Sequence, residues 1–395
     1  MKFSWNNFLN KYTRTVGKRS KVDEIVTIAL LTQRMFGQQI LDPQWTWKNY
    51  YFHQIIHLCI FVYVFFGTLE VMRTTNDSEL IAEASYTLIM IMLFASKMIL
   101  YIKNRNVFRG LYVTTKTTLM DTIKVDSEEK FERVLKTGSR AVKALFLIIL
   151  IPMLIYQSTT LWNYINGQRT LLSRTTASLM PMTTPYYELA WLIHSLFLCE
   201  VSTIIIPDMW FVLLAFFLCK ADESLIKVLN VRQKQNEETC LSYSTRLSEA
   251  LRQFHTVHVK LNRCLIALRK MYKWLALVPL CNAAMCTCLS LLIMSKEINW
   301  RFAPHMAPMI TEIFAYNWFG EQLKTKAEEI NNAILNFDWT DLNIKDKKCY
   351  FIILTCTQNE FGIKTAVGNE LSLITMSTVL KVIYQTFAVL RTIDK

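Results

Sequence analysis

The sequence predicts an all-α polytopic membrane protein. It has seven transmembrane helices, a cytosolic N-terminus, an extracellular C-terminus and a cytosolic helical anchor layer. Three observations carry this prediction. Apolar residues make up 52% of the 395, mean hydropathy is positive, and glycine and proline are few, at 9 and 8. Near-continuous apolar runs of about 20 residues recur, the length that crosses a bilayer core. Lys and Arg also segregate: residues 1–50, 103–140, 220–273 and 321–350 hold 8, 9, 11 and 5, whereas the alternate loops 71–78, 164–186 and 296–301 hold 1, 2 and 2. Basic loops stay in the cytosol, which sets the orientation. The net charge of +13 is thereby a topology signal, and no nucleic-acid partner is expected.

Residues 1–49 read as a cytosolic arm with a short apolar piece at 25–31. Lys2, Lys11, Arg14, Lys18 and Arg19 mix with Trp5 and Phe8 without an apolar core. The first span is therefore expected to act as the insertion signal. Trp45 and Trp47 suit the membrane interface ahead of that span. Spans are predicted at 50–71, 79–102, 142–163, 188–218, 273–295, 302–322 and 369–393. Pro207 is expected to bend the long fourth one, because proline removes a helix hydrogen bond. Asn76-Asp77-Ser78 is a glycosylation sequon in the first outside loop, too close to the membrane for use to be expected.

Between spans four and five, residues 219–272 form an anchor segment. Leu247, Leu251, Phe254, His258, Leu261, Leu265 and Leu268 alternate steps of four and three, a seam for a packed helix. His258 on that seam reads as a packing residue rather than a ligand. Spans five and six follow at 273–322, then a second anchor piece and the start of helix seven at 323–366, then helix seven itself at 367–395. The ten cysteines include no CxxC pair, and none lies in an outside loop. They are expected to be mostly small buried hydrophobes without disulfides. No His/Cys/Asp/Glu group has metal spacing, and no P-loop, nucleophile elbow or Gly-rich cofactor loop is present. No metal, cofactor or catalytic role is expected. No internal repeat is found, which weighs against an inverted-repeat transporter.

Among the ionisable residues inside spans, Lys97, Glu200, Asp208, Glu312 and Lys381 stand out. Such groups are functional candidates. Lys97 and Asp208 are expected near cytosolic ends, snorkelling to water. Glu200 and Glu312 are expected toward a polar cavity, and Lys381 toward protein or water. The last helix, predicted from Leu371 to Ile393, carries Thr375, Ser377, Thr378, Lys381, Gln385 and Thr386. Val382, Thr386, Val389 and Ile393 share one stripe; Lys381, Gln385, Val389 and Thr392 share another. A polar-then-apolar stripe suits a water-filled path ending in a constriction. It equally suits a bundle helix whose polar groups bond to neighbours, and periodicity alone leaves both open.

The last eighty residues carry a resemblance. Phe314, Tyr316, Phe319-Gly320-Glu321 and Leu323 lie at the exit of the sixth span. Trp339 and Lys347-Lys348 precede the last helix. Gly368, Leu371-Ser372-Leu373, Thr378-Val379-Leu380-Lys381, Tyr384, Phe387 and Val389-Leu390 lie at and within it. In this pattern the chain resembles the insect odorant receptor family. The resemblance implies a ligand-gated, non-selective cation channel of four subunits around a pore lined by the last helix. Gate residues carry over to Val389, Thr392 and Ile393, with Thr386 and Lys381 further along the pore. The chain lacks the long cytosolic insertion of the common co-receptor, so it resembles a ligand-tuned subunit partnered by that co-receptor. The plasma membrane of a sensory neuron dendrite is the implied location. Two departures stand out. The family often has Ser-Tyr before the last Phe, where this chain has Gln385-Thr386. Thr378 with Gln385 is also similar to part of the gustatory receptor signature, with Val379 in place of Tyr, so a gustatory-type channel is the sister reading.

By the same resemblance, a small hydrophobic volatile binds in the outer half of the membrane among spans two, three, four and six. The residues there are Tyr86, Met90, Tyr156, Thr160, Trp162, His194, Phe197, Leu198, Met309 and Ile313. An apolar volatile would be held by dispersion and aromatic contact; for each residue alone, ordinary helix packing competes. A G-protein-coupled receptor would have the opposite topology, and its Asp-Arg-Tyr and Asn-Pro-x-x-Tyr features are missing.

Overall fold

The computed structural model describes residues 15–171, 173–176, 179–203, 205–230, 240–296, 303–358 and 362–393. Within them the chain is helical, with one isolated bridge between Lys364 and Glu370 in place of any strand. The arm folds as α1 (Lys21–Ile25) and α2 (Thr27–Met35). It is held against the body by charge. Asp23 pairs with Lys116 at 2.8 Å, and Tyr112 donates to it at 2.6 Å. Burial alone would raise the Asp23 carboxyl; the Lys116 and Tyr112 hydrogen bonds outweigh it and hold the group below its ordinary value. Trp45 was expected at the interface. It is instead buried at 2% exposure, its indole N–H donating to Gly37 O at 2.9 Å. The Trp47 side chain lies outside the described residues.

The first two spans are α3 (Tyr51–Thr74) and α4 (Ser78–Lys103). At 24 and 26 residues each is long enough for the roughly 30 Å hydrocarbon core. Asp77 caps α4 by accepting from Glu79 N at 3.0 Å. Then come α5 (Arg105–Thr114), a π turn at Thr115–Leu119, and α6 (Met120–Asp126). The third span, α7 (Glu128–Ile165), begins well before 142, where Ser127 caps it. The predicted fourth span is described as α8 (Tyr186–Thr203) and α9 (Ile205–Leu229), which flank residue 204 and count as one apolar stretch of 44 residues, Tyr186–Leu229. Pro207 offers no N–H to the carbonyl of Thr203; residue 204 between them lies outside the described residues. Trp210, Phe211, Leu213, Leu214, Phe217 and Leu218 are all buried. A helix apolar on every side belongs in the middle of a bundle, and α9 packs on α7, α10 and α11.

Helix α10 (Cys240–Lys296) runs 57 residues without interruption, about 85 Å. Its first half is the predicted seam. Every seam residue is buried, His258 included. The seam meets the end of α9 and of α11 (Ala303–Leu335), and α12 (Ile344–Thr357) joins them. Tyr243 donates to Asp338 at 2.8 Å, and Tyr350 to Ile334 O at 3.1 Å. Six described helices are long and apolar enough to cross a membrane, and α11 is not among them. Glu312, Asn317 and Glu321 lower its hydropathy. It is enclosed by α7, α9, α10 and α13 rather than presented wholly to lipid. Cysteine burial was over-expected: four of the ten are buried, Cys199 is half-buried, and five are exposed on the single chain, with none in a disulfide.

The last helix, α13 (Leu373–Ile393), starts two residues later than predicted. Its entry is set by α11. A turn closes with Thr365 N donating to Asn369 O at 2.8 Å, with Gly368 at φ +91°. Ser372 N then donates to Asn317 Oδ1 at 3.3 Å, and Leu373 N to Glu321 Oε2 at 3.2 Å. Gly320 makes room: a Cβ there would lie 2.3 Å from Leu371 O. The family-like residues 319–321 and 371–373 are thus one contact. Gly320→Ala is expected to destabilise the chain by about 1–3 kcal/mol. Thermal unfolding of the purified protein checks this; an unaltered melting temperature would mean the helices tolerate separation there.

Candidate functional site

One face of α4 presents Glu83, Tyr86, Thr87, Met90, Leu93 and Lys97, spaced for helical neighbours. One face of α8 presents His194, Phe197, Leu198, Val201 and Ser202. With Ile149, Pro152 and Met153 of α7, Asp208 of α9, and Pro308, Met309 and Glu312 of α11, these enclose a cavity of about 120 Å³. Its wall is mostly hydrocarbon, sulfur and ring. An apolar cavity of about 150 Å³ takes up benzene, so this one suits a molecule of about one ring.

Charge is concentrated at two ends. At one, Glu83 accepts from the backbone N of Arg174 at 2.6 Å and from its Nε at 3.0 Å. His194 contacts Thr176 there at 2.5 Å. At the other, the Lys97 ammonium donates to Asp208 Oδ2 at 2.6 Å and to Glu312 Oε1. The Tyr316 hydroxyl donates to Asp208 Oδ1. Lys97, Asp208 and Glu312 are 1%, 6% and 7% exposed. The expectation that Lys97 and Asp208 snorkel to water is therefore corrected. Their charges are satisfied by one another across α4, α9 and α11.

The cavity gathers six of the ten predicted pocket residues: Tyr86, Met90, His194, Phe197, Leu198 and Met309. Tyr156 and Thr160 line a separate small cleft with Asn163 and Leu171. Trp162 faces outward at 66% exposure, and Ile313 is buried in the core off the cavity wall. Glu312 lines the cavity, as expected. Glu200 does not: it pairs with His57 of α3 at 2.5 Å, while the other His57 nitrogen meets Phe36 O at 2.8 Å. That pair ties α8 to α3 and the arm. Lys97, Asp208, Glu83 and Met153 were not foreseen in the wall. A helical step of seven from Met90 reaches Lys97, and of three from Met309 reaches Glu312, so the spacing held that signal.

Helix α13 packs on the body through Met376, Val379, Ile383, Phe387 and Leu390. Lys381, Val382, Gln385, Thr386, Val389 and Thr392 are exposed on this chain. Both stripes singled out in the sequence therefore lie on its uncovered side. Ile393 ends the helix, with its side chain outside the described residues.

A family model described as 7tm Odorant receptor matches residues 77–384. This chain belongs to that odorant receptor family. The Drosophila melanogaster protein named "Putative odorant receptor 85d" is 28% identical over 83 residues, 21% of this chain and 20% of that relative's length. The structure is similar to that of the insect olfactory receptor OR5 from Machilis hrabei. The TM-score is 0.71 at 11% identity, covering 93% of this chain and 98% of that one. The same receptor in complex with eugenol gives 0.70 at 11% identity, covering 94% and 98%. The odorant receptor is thus an insect-type, multi-pass, all-α membrane protein, and its family comprises receptors rather than enzymes.

Removing Lys97 leaves two buried carboxylates without their cation, which costs about 3–5 kcal/mol. Lys97→Met is expected to lower the melting temperature of the purified odorant receptor sharply, and adding Asp208→Asn and Glu312→Gln to recover part of it. Equal melting of Lys97→Met and wild type would show that the cluster carries no such stability.

Proposed function

We propose that this odorant receptor is a ligand-tuned subunit of an odorant-gated, non-selective cation channel. It assembles with the odorant co-receptor, as a tetramer, in the plasma membrane of a sensory neuron dendrite. Its N-terminus is cytosolic, its C-terminus extracellular, and the seam of α10 with the ends of α9 and α11 and with α12 forms a cytosolic anchor between subunits. The observation that carries the reading is the uncovered polar side of α13. A lysine and several hydroxyls in a membrane helix need water or another subunit, and this chain covers neither Lys381 nor Thr386. A pore shared with other subunits meets that need, with Lys381 and Thr386 along it and Val389, Thr392 and Ile393 as its constriction.

In this reading the cavity receives a small, mostly hydrophobic volatile. The complex of the Machilis receptor with eugenol supports a small-molecule ligand. Tyr86, Met90, His194, Phe197, Leu198 and Met309 are the proposed contacts in the main cavity, with Tyr156 and Thr160 beside it. Trp162 and Ile313 are no longer proposed as contacts. The mechanical link is α11. Met309 and Glu312 face the cavity, and Asn317, Gly320 and Glu321 grip the start of α13 one to three turns further on. A ligand that binds better when α11 has shifted favours the arrangement in which α13 has shifted too. The gate then widens and wets.

Voltage-clamp recording from cells expressing this chain with and without the co-receptor tests the reading, using a panel of volatiles. A fast cation current only when both are present is expected. Current from this chain alone would favour the self-sufficient, gustatory-type channel. No current, with both subunits at the surface, would overturn the proposal. Phe197→Ala is expected to raise the half-maximal ligand concentration about tenfold, the effect of losing about 1.4 kcal/mol of contact, at unchanged surface level. Unshifted concentration–response curves would remove Phe197 from the ligand site.

A further inference from the structure

The floor of the cavity holds one lysine between two carboxyl groups. Lys97 supplies one cation to two carboxylates, Asp208 and Glu312. Both oxygens of Asp208 are engaged, Oδ2 by Lys97 and Oδ1 by the Tyr316 hydroxyl. Glu312 is engaged through Oε1 alone. Among the described residues no donor reaches its Oε2, although the residue is 93% buried and forms part of the cavity wall. A carboxylate oxygen open to a largely apolar cavity calls for a donor, and a charged donor serves it better than a neutral one. The carboxylate at the other end has no such demand: Glu83 is already matched by Arg174.

Hydrocarbon surrounds this floor. Met90, Phe197, Leu198, Val201 and Met309 leave room for a body of about one ring. An occupant that satisfies both parts has an apolar body and one positively charged donor. We propose that the cavity selects small primary amines. The ammonium donates to Glu312 Oε2, and the hydrocarbon body lies against Phe197, Leu198 and Met309. This rests on the odorant-receptor reading of the same cavity and narrows its ligand class. A charge-assisted hydrogen bond is about twice as strong as a neutral one, so an alcohol of the same shape ranks below the amine and a hydrocarbon last.

Benzylamine, benzyl alcohol and toluene share one body and differ in the head group. Concentration–response curves for the three, on cells carrying this chain and the co-receptor, read the preference directly. The expected order is amine, alcohol, toluene, with benzylamine at least about tenfold more potent than toluene. Glu312→Gln should bring the amine-to-toluene potency ratio close to one. Should that variant fail to reach the surface, Glu312→Asp withdraws the carboxylate by one methylene and must weaken benzylamine more than toluene. Thermal shift on the purified wild-type chain reads binding apart from gating, with benzylamine raising the melting temperature more than toluene. Equal potency and equal thermal shift for benzylamine and toluene overturn the proposal, as does a ratio unmoved by either Glu312 variant. Currents to other volatiles alongside such a result would leave the odorant-channel reading standing. A thermal shift without any current would support amine binding while that reading failed.

Discussion

The Lys97 ammonium, held between Asp208 and Glu312, is the interaction on which the rest depends. It joins α4, α9 and α11, partners 111 and 215 residues apart in sequence. In water such a triad would contribute little. In a membrane interior no member can be left alone, because an unpaired charge there costs several kcal/mol. The three helices must therefore meet at this height and in this register. Tyr316 extends the cluster one turn along α11, and Tyr272 secures the neighbouring Pro207 carbonyl at 2.7 Å. The cavity stays open because these polar groups fix the helices around it while its wall is lined mainly by side chains that bind nothing strongly.

The same helix that carries the cluster carries the seat of α13. Glu312 looks into the cavity; five residues on, Asn317 accepts the first donor of the last helix, and Glu321 accepts the second. Gly320 lets the two backbones touch between them. A displacement of α11 at the cavity is thus delivered to α13 without a flexible connection. The side of α13 turned away from the body holds the polar stripe. Ligand site, lever and pore helix occupy one continuous stretch of packed structure, which is the physical requirement for coupling between them.

Much of the fold was legible. The apolar runs marked the spans, and the leucine seam marked α10. Half-legible features were those where apolar residues serve two masters. In α7 the outward-facing Leu147, Ile151, Leu154 and Trp162 are as apolar as the cavity-facing Ile149 and Met153. Hydrocarbon outside and hydrocarbon inside select the same side chains, so periodicity could not tell Trp162 from Met153. Illegible altogether was the charge triad, since nothing local in the sequence says that Lys97 faces residues more than a hundred positions away. Its charges looked like snorkelling ends for that reason. Gly320 and Leu371 were visible as family-like residues, but only the structure makes them two sides of one contact.

The central claim is that ligand in the cavity moves the uncovered side of α13 within a water-filled path. Cysteine substituted at Val389 offers the most direct reading, through its rate of modification by a charged, water-soluble thiol reagent, with and without ligand, while current is recorded. The account predicts that the reagent reaches Val389→Cys and alters the current, faster when ligand is present, whereas Met376→Cys on the packed side stays unmodified. A Val389→Cys thiol that is unreactive, or that reacts at one rate regardless of ligand, would contradict it.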